Sequence, residues 1–169
     1  MNVPNRTYFV ILAGAIVWCS ALVAAPLLVS LSGSFAATGQ LLYAFFHTVC
    51  HQLDDRSFHA FGEPLAVCSR CASIYFAFLA AVMFYPLRQH ISDPAISPRV
   101  LLLAATAPMA LDVAGGLLGI HEVTITTRTI TGGFFGLLLP FIIIPVAVKA
   151  VQELQRPFAL GVRHGSSDA

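Results

Sequence analysis

Four apolar runs, each long enough to span a lipid bilayer, leave this chain little choice of fold. The first, Tyr8–Leu31, follows Arg6 and carries no charge of its own. A helix needs about 20 apolar residues, at ~1.5 Å of rise each, to cross the hydrocarbon core of a membrane. The next runs start near Cys68 and end before Pro86, cover Val100–Ile120, and cover Ile130–Val151. Pro140 and Pro145 lie inside the last run, where a membrane helix tolerates them as kinks. A signal peptide is the alternative for the first run, since Arg6 supplies a basic flank and Val23-Ala24-Ala25 a small-residue cleavage site. Its apolar part is well beyond the ~7–15 residues of a signal sequence, and we read it as an uncleaved span.

The expectation is an all-α, polytopic membrane helix bundle with spans at 8–31, 68–86, 100–120 and 130–151. It forms one domain over 1–155, followed by a flexible tail over 156–169 that contains Gly165-Ser166-Ser167. Composition agrees: 57% of residues are hydrophobic and 10% charged, against about 25% charged in a soluble domain. A formal net charge of +1 gives no field for nucleic acid, so the partner implied is the lipid bilayer.

The segment 32–67 joins the first two spans. Ser32–Gly39 is a small-residue turn. Gln40–Gln52, with Leu41, Leu42, Phe45 and Phe46, reads as a short amphipathic helix for the membrane interface. Leu53–Val67 is polar, with Asp54, Asp55, Arg56, Glu63 and Pro64, and is expected to be a loop. Four spans place both termini and the Leu87–Pro98 turn on one side, with Arg6, Arg88, Arg99, Lys149, Arg156 and Arg163. Arg56, Arg70 and Arg128 fall on the other side. Lys and Arg concentrate in short cytoplasmic flanks, which predicts a multi-pass protein of the cell (inner) membrane with cytoplasmic termini and an extracytoplasmic cysteine loop.

That loop holds the chemistry. Cys50-His51 precedes the Cys68-Ser-Arg-Cys71 pair, and only Cys19 of the four cysteines lies elsewhere, within the first span, where it suits core packing. Two cysteines three apart can turn both sulfurs onto one metal ion, and a second ligand pair completes a tetrahedron. The metal set is Cys50, His51, Cys68 and Cys71. His47 is the alternative fourth ligand, because a helix over Gln40–Gln52 would put His47, Cys50 and His51 on one face. Thiolates with an imidazole suit zinc better than magnesium or calcium. The same residues admit a redox dithiol, with Arg70 and a helix start lowering a thiol pKa, or a plain structural disulfide.

Asp112 lies inside the third span, where a carboxylate is costly and needs a partner. Arg128, at the outer start of the fourth span, is the partner expected. Gly115, Gly116, Gly132, Gly133 and Gly136 suit close helix contacts. His59 and His121 read as solvated loop residues, and Arg56 as a lipid or substrate contact or a partner of Asp55 or Glu63.

Taken together, Cys50-His51-Gln52, Arg56-Ser57-Phe58, Cys68-x-Arg70-Cys71, Ile74-Tyr75, and then Asp112, Arg128, Thr131 and Gly132 form an ordered pattern. It resembles the family of small prokaryotic integral membrane proteins called domain of unknown function 2085. The chain departs from that family at Ser73, where glycine is usual, and over His121–Ile125, which stands for an Arg-Glu-Ser-Thr-Asn stretch. The resemblance implies that these residues form one site, and implies no activity.

The first functional reading is a membrane protein with an extracytoplasmic Cys/His zinc site. The second is a membrane thiol-disulfide oxidoreductase coupled to a quinone, similar in outline to vitamin K epoxide reductase relatives, although those have a second loop cysteine pair. The third is a binding or transport module with Arg56, Asp112 and Arg128 around an outward pocket for an anionic lipid or metabolite.

Overall fold

A computed structural model describes residues 3–31, 33–88 and 97–164. The apolar runs are helical, as expected. Helix α1 (Val3–Ser30) is followed by a shorter helix α2 (Ser34–His47), a hairpin of β1 (Ser57–Ala60) and β2 (Glu63–Cys68), and α3 (Ser69–Arg88). Then come α4 (Pro98–Leu117), α5 (Ile125–Leu138) and α6 (Pro140–His164). Among the described residues, four stretches are long and apolar enough to cross a membrane: Asn5–Ser30, Ser69–Leu87, Pro98–Leu117 and Ile125–Gln155.

The last of these comprises α5 and α6 together, beginning before the expected Ile130 and divided at Leu139. Pro140 causes the division, because it has no N–H to return to the Gly136 carbonyl. Backbone bonds resume at once, from Ile142 and Ile143 to the Leu139 carbonyl at 3.0 and 2.9 Å. Helix α6 is described as far as His164; residues 165–169 of the expected tail lie outside the described residues, as does most of the Leu87–Pro98 turn.

Segment 32–67 departs most from expectation. Gly33, at φ 64°, supplies a left-handed turn that an L side chain rarely takes. It lets α2 fold back onto α1. There Gly39 approaches so closely that a Cβ would lie 2.9 Å from the Val29 nitrogen and 3.0 Å from the Ala25 oxygen. Helix α2 therefore begins earlier than Gln40 and ends at His47, short of Gln52.

Leu53–Val67 is not an open loop. After a single 3-10 turn at Asp54–Arg56 it forms the antiparallel β1–β2 pair, with His59 opposite Pro64 and Ala60 opposite Glu63. Phe61 and Gly62 make the connection at φ 58° and 85°, both positive, as a tight two-residue hairpin turn requires. Leu65, Ala66 and Val67 are buried together with Leu22 and Ala25 of α1, Phe46 of α2 and Ala72 of α3. The hairpin is thus part of the core at this end of the bundle. A second apolar cluster, Tyr8, Val82, Tyr85, Ile144 and Val148, joins α1, α3 and α6, with the Tyr8 hydroxyl donating to the Val82 carbonyl at 3.1 Å.

Helices α3 and α5 share the most extensive contact among the described elements. A Cβ on Gly132 would come within 2.6 Å of the Arg70 carbonyl oxygen, and one on Gly136 would collide with the Ile74 carbonyl. Small residues four apart allow this approach, as in small-xxx-small membrane helix pairs. Gly133 faces away, with nothing within 4 Å of its would-be Cβ, so it does not share the packing role expected of it.

Candidate metal centre

Three elements bring three sulfurs together. Cys50 lies just beyond α2, where its amide still donates to the Phe46 carbonyl at 3.0 Å. The chain then turns sharply through Gln52, a non-glycine at φ 52°. That strained turn is held by the Gln52 amide, which donates to the Tyr43 and Ala66 carbonyls at 2.8 Å each and so ties α2 to β2. The Ser57 hydroxyl adds a 2.8 Å bond to the Leu53 carbonyl, and the Tyr43 hydroxyl donates to the Pro64 carbonyl. Sequence reasoning missed Tyr43, and it placed Gln52 and Ser57 in the pattern without giving either a role in holding the turn. The signal was present in Cys50-His51-Gln52: a long amide beside a cysteine has two donors with which to pin a turn.

Cys68 closes β2, and its amide donates to Cys50 Sγ at 3.2 Å. Cys71 stands in the first turn of α3. The Cys50, Cys68 and Cys71 sulfurs all lie within 4.8 Å of one another, and the three thiols are free. Tetrahedral zinc with Zn–S of ~2.3 Å sets its sulfurs about 3.8 Å apart, so a small contraction would bring these three onto one ion. The Cys68 thiol is lowered to about 5: the Cys71 thiol donates to it, and the Cys71 and Arg70 amides and the Cys50 side chain add hydrogen bonds that outweigh the opposing effect of burial. A thiolate placed at the start of a helix is the form that binds metal.

The histidines are not part of this group. His51 is exposed, yet it lines the same cavity of about 420 Å³ as the three cysteines. His47, the last residue of α2, is also exposed. Because the helix stops at His47, the common face expected for His47, Cys50 and His51 does not exist. His59 lies 2.9 Å from Asp54 Oδ1, and Cys19 is buried in α1 with its thiol 3.5 Å from the Tyr75 carbonyl.

Asp112 does have an ionic partner, but it is Arg70 and not the expected Arg128. The close approach of α3 and α5 explains the exchange. It puts the first turn of α3 beside α4, and Arg70 reaches Asp112 with 16% of its side chain exposed against 5% for the carboxylate. His121, expected in solvent, sits with Nε2 3.8 Å from the other Asp112 oxygen. Gly115 makes room for it, since a Cβ there would lie 2.7 Å from the imidazole. Arg128, in the first turn of α5, instead lines the cysteine cavity together with Arg56 and Arg70. All three arginines also line a neighbouring cavity of about 980 Å³ that includes His121 and Glu122. Arg56 is exposed and pairs with Asp55 at 3.4 Å.

No solved structure matches this chain. A protein of the archaeon Methanocaldococcus jannaschii, itself described only as uncharacterised, is 36% identical over 112 residues, which are 66% of this chain and 72% of that one. Residues 50–150 match the profile of the family described as predicted membrane protein (DUF2085). The match opens at the first cysteine of the cluster and takes in Asp112, Arg128 and the Gly132–Gly136 contact. With its apolar spans and its three sulfurs at the head of them, the chain belongs to this family of membrane proteins.

Proposed function

We propose that Cys50, Cys68 and Cys71 are thiolate ligands of a zinc ion on the extracytoplasmic side of the cell membrane, and that His51 supplies the fourth ligand. The observation that carries this reading is the convergence of three free sulfurs within 4.8 Å. Two of them lie on β2 and α3, and the third follows α2. Soft thiolates select zinc over the oxygen-seeking alkaline-earth ions. The amide N–H groups aimed at Cys50 and Cys68 are the outer-shell bonds that hold metal thiolates in place. His51 lines the cavity that the sulfurs face, and its imidazole closes the coordination by turning inward. A site closed by four protein ligands is structural: it clamps the hairpin and the end of α2 to the start of α3.

Elemental analysis of the purified protein, with thiol counting before and after chelation, tests this. One zinc per chain, with three thiols freed by the chelator, is expected. Cys50→Ser, Cys68→Ser and Cys71→Ser should each lose the ion and open segment 53–67 to protease, and His51→Ala should resemble them while His47→Ala stays close to the parent. Metal kept in His51→Ala would remove His51 from the ligand set. A metal-free protein carrying a disulfide among the three cysteines would replace the zinc reading with thiol–disulfide exchange.

A further inference from the structure

We infer that Arg56, Arg70 and Arg128 form a binding site for a phosphate-type oxyanion at the junction of the two cavities. All three line both spaces; no carboxylate lines the smaller one, while Asp55 and Glu122 line the larger. Their charges are unevenly answered. Arg70 is neutralised by Asp112, yet its Nε is buried without a hydrogen-bond partner. Among the described residues, the only acidic partner of Arg56 is Asp55, whose side chain is 73% exposed, and such surface pairs contribute little. Arg128 is half-buried and has no ion-pair partner among the described residues.

An unanswered guanidinium at the end of a membrane span is expensive unless something anionic meets it. The first turns of α3 and α5 carry Arg70 and Arg128, so two helix N-termini add their positive ends to the same junction. Arg128 is left without a carboxylate and Arg56 has only its solvent-screened pair with Asp55, so the junction has cationic groups free to meet an anion. Planar guanidinium forks fit the oxygens of a phosphate monoester in bidentate fashion. The larger cavity has room for more than a bare ion, and Val113 and Ile120 give its wall an apolar side. The ligand is therefore a phosphate monoester, carried either by a lipid headgroup or by a soluble compound. This inference rests on the arginines and stands apart from the metal.

The test is equilibrium binding of radiolabelled orthophosphate to the full chain in nanodiscs of zwitterionic lipid, with metal content measured on the same samples. Binding is expected in the parent, weakened about tenfold or more in Arg128→Gln and Arg56→Gln, and unchanged in Arg99→Gln. Because Arg56 is exposed, Arg56→Gln reports binding even if Arg128→Gln fails to fold. Competition by phosphatidic acid placed in the nanodisc, but not by soluble glycerol 3-phosphate, assigns the site to a lipid headgroup; the reverse assigns it to a soluble ligand. Phosphate binding unchanged in both arginine variants overturns the inference. So does its absence from the parent, including the case in which the arginine variants lose only metal and so serve as counter-ions to the thiolates. Phosphate binding by metal-free protein sinks the zinc reading alone, and zinc-loaded protein that ignores phosphate sinks this inference alone.

Discussion

Asp112 and Arg70 show most sharply what single residues contribute. Both are largely withdrawn from solvent, so removing either leaves the other's charge poorly answered, at a cost of about 3–5 kcal/mol for a buried pair. Asp112→Asn and Arg70→Gln should each lower thermal stability in detergent. The double variant should lose less than the sum, because the second change removes the stranded charge created by the first. Arg128→Gln combined with Asp112→Asn should instead be additive. Coupling in that pair and additivity in the Arg70 pair would reinstate the partner suggested by the sequence. The presence of a partner was legible, since a carboxylate inside an apolar run demands one. Which arginine it would be was not, because that depends on how closely α3 and α5 approach. The cysteines were legible for a different reason: three sulfurs in a short polar segment between apolar spans have few other uses. The loss of a shared helical face for His47, Cys50 and His51 turned on where α2 ends, and helix ends are the least certain part of any sequence reading.

Among the elements, the α3–α5 contact and the hairpin differ in how openly the sequence announced them. Gly132 and Gly136 stand four apart in an apolar run and were readable as a contact face. Their neighbour Gly133 could be told from them only by the helix rotation that points it outward. Gly136→Ala should therefore destabilise the bundle by about 1–3 kcal/mol, because its new methyl meets the Ile74 backbone, which cannot step aside. Gly133→Ala, with open space around it, should be neutral or slightly stabilising, as alanine favours helix over glycine. Thermal denaturation of the two variants in one detergent checks this, and equal losses would mean that α3 and α5 do not touch at Gly136. The hairpin was hidden because its turn is Phe61-Gly62 and not the Asn-Gly or Asp-Gly that usually marks such turns. Its acidic and proline residues read as a loop, and burial of Leu65, Ala66 and Val67 against α1 overrode that local character.

On the scale of the whole molecule, the three sulfurs and the three cavity arginines gather where α1 ends, α3 begins, α4 ends and α5 begins. The alternation of four spans was readable from hydropathy alone, since each must satisfy its backbone within itself. The side of the membrane expected for the site rests on charge. Six of the nine Lys and Arg residues belong to the end opposite the cluster. The other three, Arg56, Arg70 and Arg128, fall at the cluster end, a bias of six against three. The expected orientation therefore keeps the termini and residues 87–98 cytoplasmic and the cluster outside. Single cysteines at Ser92 and Glu122, labelled with an impermeant maleimide in intact cells against the parent's background, would report it. Glu122 is exposed and is preferable to Thr124, whose side chain caps α5 by accepting from the Thr127 amide at 3.2 Å. Labelling at Glu122→Cys alone is the expected outcome. Labelling at Ser92→Cys alone would invert the protein and put the three thiols in the reducing cytoplasm. There a disulfide would not persist, while a zinc–thiolate centre would remain chemically sound, so the orientation also bears on which chemistry the sulfurs can support.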